Sequence, residues 1–124
     1  MIDNKVLFVD DSPTMRRIIK NSLQKIGFSE LIEAENGVDA LDKLEGEDVG
    51  LILSDWNMPE MNGKQFVEEL KANDKYKDIP IIMITTRGMK EDVITAVKLG
   101  VAGYVVKPFT PDILKGKIQK ALGK

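Results

Sequence analysis

The stretch VLFVDDSPTMRRIIKNSLQKIG, residues 6–27, decides the fold. It begins with four apolar residues without polar alternation, which is typical of a strand covered on both faces. Ser12 can then cap a helix that has Pro13 in its first turn and Gly27 after its end. The apolar stripe predicted for this helix consists of Met15, Ile18, Ile19, Leu23 and Ile26. The stretch therefore predicts a buried strand followed by an amphipathic helix.

The same β–α unit recurs along the chain. Three more short apolar runs predict strands at Leu51–Leu53, Ile79–Ile84 and Tyr104–Val106, and a weaker pattern predicts one at Leu31–Ala34. Asn36 can cap a second helix, and a third follows Gly63. Gly100 ends a fourth helix, which is marked by Val93, Ile94, Val97 and Leu99. Thr110 and Pro111 open a fifth, with Ile113, Leu114, Ile118 and Leu122 expected to face inward.

Strict alternation of five strands and five helices predicts an α/β domain with a doubly wound parallel sheet and helices on both faces. No repeat or composition shift marks a boundary within the 124 residues, so we expect one domain over residues 1–124 and no output domain. Ligands of such sheets bind outside the carboxyl ends of the strands.

Composition excludes several functions. The net charge of −2 gives no basic excess for binding nucleic acid or an anionic membrane surface. The chain has no Cys and no His, which removes disulfides, thiolate or imidazole metal ligands and a histidine base. No signal peptide or membrane-length apolar run is present, so we expect a cytoplasmic protein.

The strand ends carry the chemistry. Asp10 and Asp11 follow the first strand, Asp55 the third, Thr85 ends the fourth and Lys107 follows the fifth. Several carboxylates in one crevice repel one another unless a cation neutralises them. Oxygen ligands without His or Cys suit a hard ion, Mg²⁺ or Mn²⁺. A carboxylate not needed for ligation could act as a nucleophile toward phosphorus and form an aspartyl phosphate.

Four segments, VLFVDDSPTMRR, LILSDWNMPEMNG, IIMITT and GYVVKPFTP, resemble the signature stretches of response-regulator receiver domains in their order along the chain. Within that family, the segments DWNMP, TMRRIIKN and KPFTP are most similar to those of stand-alone chemotaxis regulators. The resemblance implies a flavodoxin-like (βα)5 fold with strand order 2-1-3-4-5.

The resemblance also implies a role for each site residue. Asp55 would accept a phosphoryl group from a histidine kinase, assisted by Lys107 and Thr85. Asp11 and Asp55 would bind Mg²⁺ directly and Asp10 through a water, with the backbone carbonyl of Asn57 as a further ligand. The Lys107–Pro108 bond would be cis.

Signalling would follow from the same site. Thr85 and Tyr104 would form a two-state switch, and the partner-binding face would include Lys90, Val93, Tyr104 and Lys117. Asn57, Thr86 and Arg87 would tune hydrolysis of the acyl phosphate, with Arg87 shielding the attacking water. The expected partners are a histidine kinase, a flagellar motor switch protein and, if the system has one, a dedicated phosphatase. We expect a monomer that turns over no external substrate.

Three alternatives bear on this prediction. A phosphorelay carrier, passing the group from Asp55 to another protein's histidine, stays open. A phosphatase with an aspartate nucleophile is disfavoured, because such enzymes carry Asp-x-Asp after the first strand whereas here the acids are adjacent. A flavin carrier is rejected, because two carboxylates after the first strand repel phosphate.

Overall fold

Five strands and five helices alternate along the chain in the computed structural model, which describes residues 5–56, 58, 60–85 and 90–123, without the side chains of 90–92. The strands are β1 Val6–Val9, β2 Leu31–Ala34, β3 Leu51–Ser54, β4 Ile81–Thr85 and β5 Gly103–Val106. The helices are α1 Pro13–Ile26, α2 Gly37–Leu44, α3 Gly63–Lys71, α4 Lys90–Lys98 and α5 Pro111–Ala121.

All strand pairs are parallel, and the sheet order is β2-β1-β3-β4-β5. The doubly wound sheet and its order 2-1-3-4-5 are therefore confirmed. The order reverses between β1 and β3, so a crevice is expected outside the carboxyl ends of these two strands.

The core has two layers, one on each face of the sheet. Val6 and Phe8 of β1 point into one layer, with buried residues of α1 and α5, whereas Leu7 and Val9 point into the other, with α2, α3 and α4. This alternation follows from the two-residue period of a strand. Because helices cover both faces, the carboxyl edge is the open part of the sheet where polar side chains can gather.

The predicted helix starts are confirmed at three caps. The side chains of Ser12, Asn36 and Thr110 accept the N–H groups of Met15, Asp39 and Ile113, at 3.2, 2.8 and 3.2 Å. A fourth cap was not predicted: Asn62 and Gln65 bond each other's backbone N–H reciprocally and start α3 at Gly63 itself. Such caps satisfy N–H groups that have no partner within the helix.

Three details of the sequence prediction are wrong. β4 starts at Ile81, not Ile79, because Pro80 has no N–H to give to the ladder. Ile18 and Ile113 were expected in buried stripes but are 43% and 53% exposed. In each helix the buried pair lies four residues apart, Ile19 with Leu23 and Leu114 with Ile118, and the preceding apolar residue is turned about 100° away from it.

Candidate phosphoacceptor and metal site

Backbone hydrogen bonds continue the strand pairing past the strand ends at the carboxyl edge of the sheet. Asp10 N–H donates to the carbonyl of Ala34 on β2 at 3.2 Å. Asp55 N–H donates to the carbonyl of Val9 at 2.9 Å, and Lys107 N–H donates to the carbonyl of Thr85 at 2.7 Å. The regular ladder thus continues one residue past β1, β3 and β5, which fixes where the acids and the lysine begin.

Three carboxylates converge at this edge. Asp10, Asp11 and Asp55 each offer one oxygen, and these oxygens lie within 4.8 Å of one another. Asp10 is 1% exposed and Asp55 is 8% exposed, whereas Asp11 lies open to solvent. Two nearly buried acids and one exposed acid therefore form a pocket that is open on one side.

Lys107 lies beside two of these carboxylates. Its Nζ lies 2.7 Å from Asp10 Oδ2 and 3.5 Å from Asp55 Oδ2, and its side chain is 8% exposed. Carboxylates that converge in this way repel one another, and a nearby cation reduces that repulsion. A divalent ion bound beside Lys107 would reduce it further.

The two oxygens of Asp55 are in different surroundings. Oδ1 accepts the N–H of Trp56 at 2.7 Å, whereas Oδ2 faces Lys107. Asp10 is held similarly, because Oδ1 accepts the N–H of Ser12 at 2.9 Å and Oδ2 contacts Lys107. In each acid a backbone N–H donates to Oδ1, while Oδ2 lies toward Lys107.

The donor set fits a hard divalent cation. The converging ligands are carboxylate oxygens, and the chain has neither His nor Cys to favour a softer metal. Mg²⁺ commonly takes one or two carboxylates and keeps positions for water and phosphate oxygens. Asn57, the predicted carbonyl ligand, lies outside the described residues.

Gly63 lets α3 approach the acceptor closely. A Cβ at this position would lie 2.6 Å from the carbonyl oxygen of Asp55 and 2.8 Å from the Cα of Trp56. Gly63 N–H also donates to the carbonyl of Trp56 at 2.8 Å. The start of α3 is therefore packed directly on the backbone that carries Asp55, in a way that excludes a side chain.

Thr85 and Tyr104 lie on the same face of the sheet. Thr85 is fully buried and pairs with Val106, while Tyr104 is half-buried and pairs with Met83, two residues before Thr85. Because side chains alternate with a period of two, all four project toward the layer that contains α4. Thr85 and Tyr104 are thus diagonal neighbours on adjacent strands.

The predicted partner face lies at the β5 edge, which both α4 and α5 contact. Val93 is half-buried and Lys117 is exposed, whereas the side chain of Lys90 lies outside the described part of the chain, as do Thr86 and Arg87. Four apolar residues at this edge are unexpectedly exposed: Ile94, Val97, Val106 and Ile113. A sequence signal was available for Ile94 and Val97, because α4 carries more apolar positions than one buried stripe requires.

Sequence reasoning also gave no role to Arg16, whose Nη1 donates to the carbonyl of Asp10 at 2.6 Å. The sequence shows that Arg16 lies shortly after the acid pair. It does not show that the Arg16 side chain turns toward Asp10, because the adjacent Arg17 has the same chemistry and is exposed.

Comparison with known sequences identifies the class. The family model described as response regulator receiver domain matches residues 6–119, and the chain belongs to this family. The resemblance noted from the sequence is therefore confirmed.

Individual relatives are more specific. The chain is 57% identical over 120 residues to a chemotaxis protein CheY homolog of Campylobacter jejuni, covering 96% of this chain and 92% of the relative. It is 55% identical to chemotaxis protein CheY1 of Helicobacter pylori, covering 96% and 97%. The structure of the chemotaxis response regulator CheY4 of Vibrio cholerae is similar with a TM-score of 0.88 and 38% identity, covering 96% and 98%.

Proposed function

We propose that this protein is a single-domain response regulator that accepts a phosphoryl group on Asp55. The observation that carries the proposal is the meeting of three carboxylates and Lys107 in one pocket at the carboxyl edge of the sheet. Repulsion among the acids is tolerable with a cation present, and phosphoryl transfer needs such positive charge around the transferring group.

The metal would be held by Asp10, Asp11 and Asp55, with the carbonyl of Asn57 as a further ligand. When bound, Mg²⁺ or Mn²⁺ would neutralise charge on the phosphoryl oxygens. A carboxylate oxygen of Asp55 attacks the phosphorus of a kinase phosphohistidine, so that an O–P bond forms and the P–N bond breaks. The imidazole nitrogen leaves with the electron pair and takes up a proton from solvent.

Lys107 and Thr85 would serve the transferred group. Lys107 already lies between Asp10 and Asp55, so a small movement of its ammonium toward an incoming phosphoryl oxygen keeps it close to both acids. The Thr85 hydroxyl would donate a hydrogen bond to another oxygen. Charge-assisted donors of this kind stabilise the transition state because their orientation is fixed before reaction.

The signal would pass through Thr85 and Tyr104. When Thr85 turns toward the phosphoryl group, Tyr104 can move into the space that Thr85 leaves on the same face of the sheet. Their diagonal arrangement supports this two-state switch. The group is lost when water attacks phosphorus and the O–P bond to Asp55 breaks, at a rate that we propose Asn57, Thr86 and Arg87 tune. The protein would thus be a regulator that consumes its own phosphoryl group rather than a turnover enzyme.

We assign the partner face to α4, β5 and α5, with Lys90, Val93, Tyr104 and Lys117 among its residues. The exposed apolar side chains of Val97, Val106 and Ile113 support this assignment. Because its relatives are named chemotaxis proteins, the proposed target is a flagellar motor switch protein. The donor would be a histidine kinase, and the protein would act as a cytoplasmic monomer of one domain. No described helix has the length and apolarity needed to cross a bilayer.

Phosphotransfer is tested with a kinase domain carrying a labelled phosphohistidine. In the presence of MgCl₂ the label should move to this chain and be released by mild alkali, as expected of an acyl phosphate. Transfer that is unaffected by EDTA, or label that survives alkali, would contradict the proposed chemistry.

The motor role is tested by binding to a flagellar switch peptide with and without beryllofluoride. Affinity should rise with beryllofluoride, and Ile113→Ser should weaken binding, whereas Ile18→Ser, an exposed isoleucine on α1, should not. If beryllofluoride has no effect but the labelled chain phosphorylates a histidine phosphotransfer protein, the chain is a phosphorelay carrier instead.

A further inference from the structure

Arg16 makes a contact that the proposed chemistry does not require. Its Nη1 donates to the backbone carbonyl of Asp10 at 2.6 Å, while its Nε donates to Glu33 Oε2 at 2.8 Å. The Arg16 side chain is 15% exposed. One guanidinium therefore joins α1, the end of β2 and the backbone of the acid pair.

The carbonyl of Asp10 needs this donor. In the parallel register of β1 and β2, the next N–H toward it would come from residue 36. Asn36, however, is already the N-cap of α2, so the chain has turned away from the sheet. Arg16 replaces the ladder donor that β2 no longer supplies, at a residue that is only 1% exposed. A buried carbonyl that loses such a donor is costly.

The orientation of the Asp10 carbonyl also affects the orientation of the Asp11 backbone. The C=O of Asp10 and the N–H of Asp11 belong to one planar peptide unit, so fixing the first fixes the plane of the second. The backbone of Asp11 sets the direction of its Cα–Cβ bond, from which the exposed carboxylate extends. Because Arg16 also donates to Glu33 of β2, the peptide unit between Asp10 and Asp11 is linked to β2 as well as to α1.

We propose that Arg16 is a positioning residue for the acid pair, and that its hydrogen bond to the Asp10 carbonyl sets the affinity of the pocket for a divalent cation. This inference rests on the proposed metal site. Arg16 is itself a cation, so its charge alone would weaken metal binding. Positioning and charge therefore predict opposite results when the side chain is removed.

The test measures the Mg²⁺ dissociation constant of the full chain by titration calorimetry, with the fluorescence of Trp56 as a second readout. Arg16→Ala should raise the dissociation constant by about 10-fold, as expected when a group that orients metal ligands is lost. Arg16→Lys keeps the charge but does not span both Asp10 and Glu33, so it should bind Mg²⁺ more weakly than wild type too. Glu33→Gln, which loosens the anchor of Arg16, should give a smaller loss.

Arg17→Ala is the matched control, since it removes the same charge from the next, exposed position of α1. It should change the dissociation constant by less than about twofold, because charges that solvent separates interact weakly. Equal or tighter Mg²⁺ binding by folded Arg16→Ala would overturn the inference while leaving the metal site standing. Should Arg16→Ala fail to fold, unchanged affinity in both Arg16→Lys and Glu33→Gln would overturn it. Absence of Mg²⁺ binding by wild type would remove the metal site and this inference with it.

Discussion

At the scale of residues, Lys107 acts as the internal counter-ion of the pocket. Its ammonium contacts Asp10 and Asp55 at 2.7 and 3.5 Å, in a region of low exposure. A cation in this position has two consequences: it competes with a divalent ion for the Asp10 carboxylate, and it is available to the transferred group.

Lys107→Ala should therefore separate metal binding from phosphoryl transfer. We expect the rate of labelling by a small phosphodonor to fall by about 10²-fold or more, because a preorganised charged donor is lost. Mg²⁺ should bind at least as tightly as to wild type, because a competing cation is gone. Lys120→Ala, which removes an exposed lysine of α5, should change neither quantity. Labelling of Lys107→Ala at the wild-type rate would contradict the assigned role.

Gly63 is a second important residue, because it lies very close to the backbone of Asp55. Gly63→Ala should lower the free energy of unfolding by about 1–3 kcal/mol, because the new Cβ would overlap the backbone of Asp55 and Trp56. Urea denaturation measures the change. Gly116→Ala is the control: nothing lies within 4 Å of a Cβ there, and α5 should gain about 0.5–1 kcal/mol. A Gly63→Ala protein as stable as wild type would show that α3 does not press on the acceptor.

At the scale of elements, Asp39 and Lys43 of α2 form an ion pair beside the end of β2. Burial of the Asp39 carboxyl tends to raise its pKa, but the N–H of Glu35 and the ammonium of Lys43 outweigh this and lower the pKa below its ordinary value. Lys43 also donates to the carbonyl of Glu33 at 2.7 Å. The turn is thus stabilised by an ionised Asp39.

Asp39→Asn should destabilise the protein at neutral pH by about 0.5 kcal/mol, as for other partly exposed pairs. Because the folded pKa is lowered, the contribution of Asp39 is full above the unfolded pKa of about 3.9 and is lost as the pH falls through the folded pKa. The difference from wild type should therefore shrink in acid, as chemical denaturation over a pH series would measure. Asp42→Asn, which changes an exposed acid on the same helix, is the control and should cost less stability than Asp39→Asn at neutral pH. A difference for Asp39→Asn that persists at the lowest pH would contradict the assignment.

The sequence predicted these elements well where a local signal exists. Apolar runs located four strands and a weaker pattern located β2. Ser12, Asn36 and Thr110 marked helix starts through side chains that bond within four residues. Burial was predicted less well. Ile18 and Ile113 have the same local pattern as their buried neighbours, and the packing of α1 and α5 on the sheet and on each other decides which apolar side chains face the core.

At the scale of the whole molecule, topology explains how distant residues form one pocket. Asp10 and Lys107 are 97 positions apart in the chain, yet they contact each other because β1 and β5 end at the same edge. The strand-end rule was sufficient to predict this meeting from sequence. It could not predict the Arg16 hydrogen bond or the close approach of Gly63, since both depend on how helices are seated against the sheet.

We propose that Asp55, and no other acid of the chain, takes up a phosphoryl group with the help of a divalent cation. The most direct test is intact-mass analysis after exposure to a small phosphodonor, with MgCl₂ or with EDTA. We expect a mass increase of one phosphoryl group for wild type and for Asp78→Asn, an acid beyond the other end of β4, only when Mg²⁺ is present. Asp55→Asn should show no increase. An equal increase in Asp55→Asn, or an increase in wild type that EDTA leaves unchanged, would show that Asp55 is not a metal-dependent phosphoacceptor.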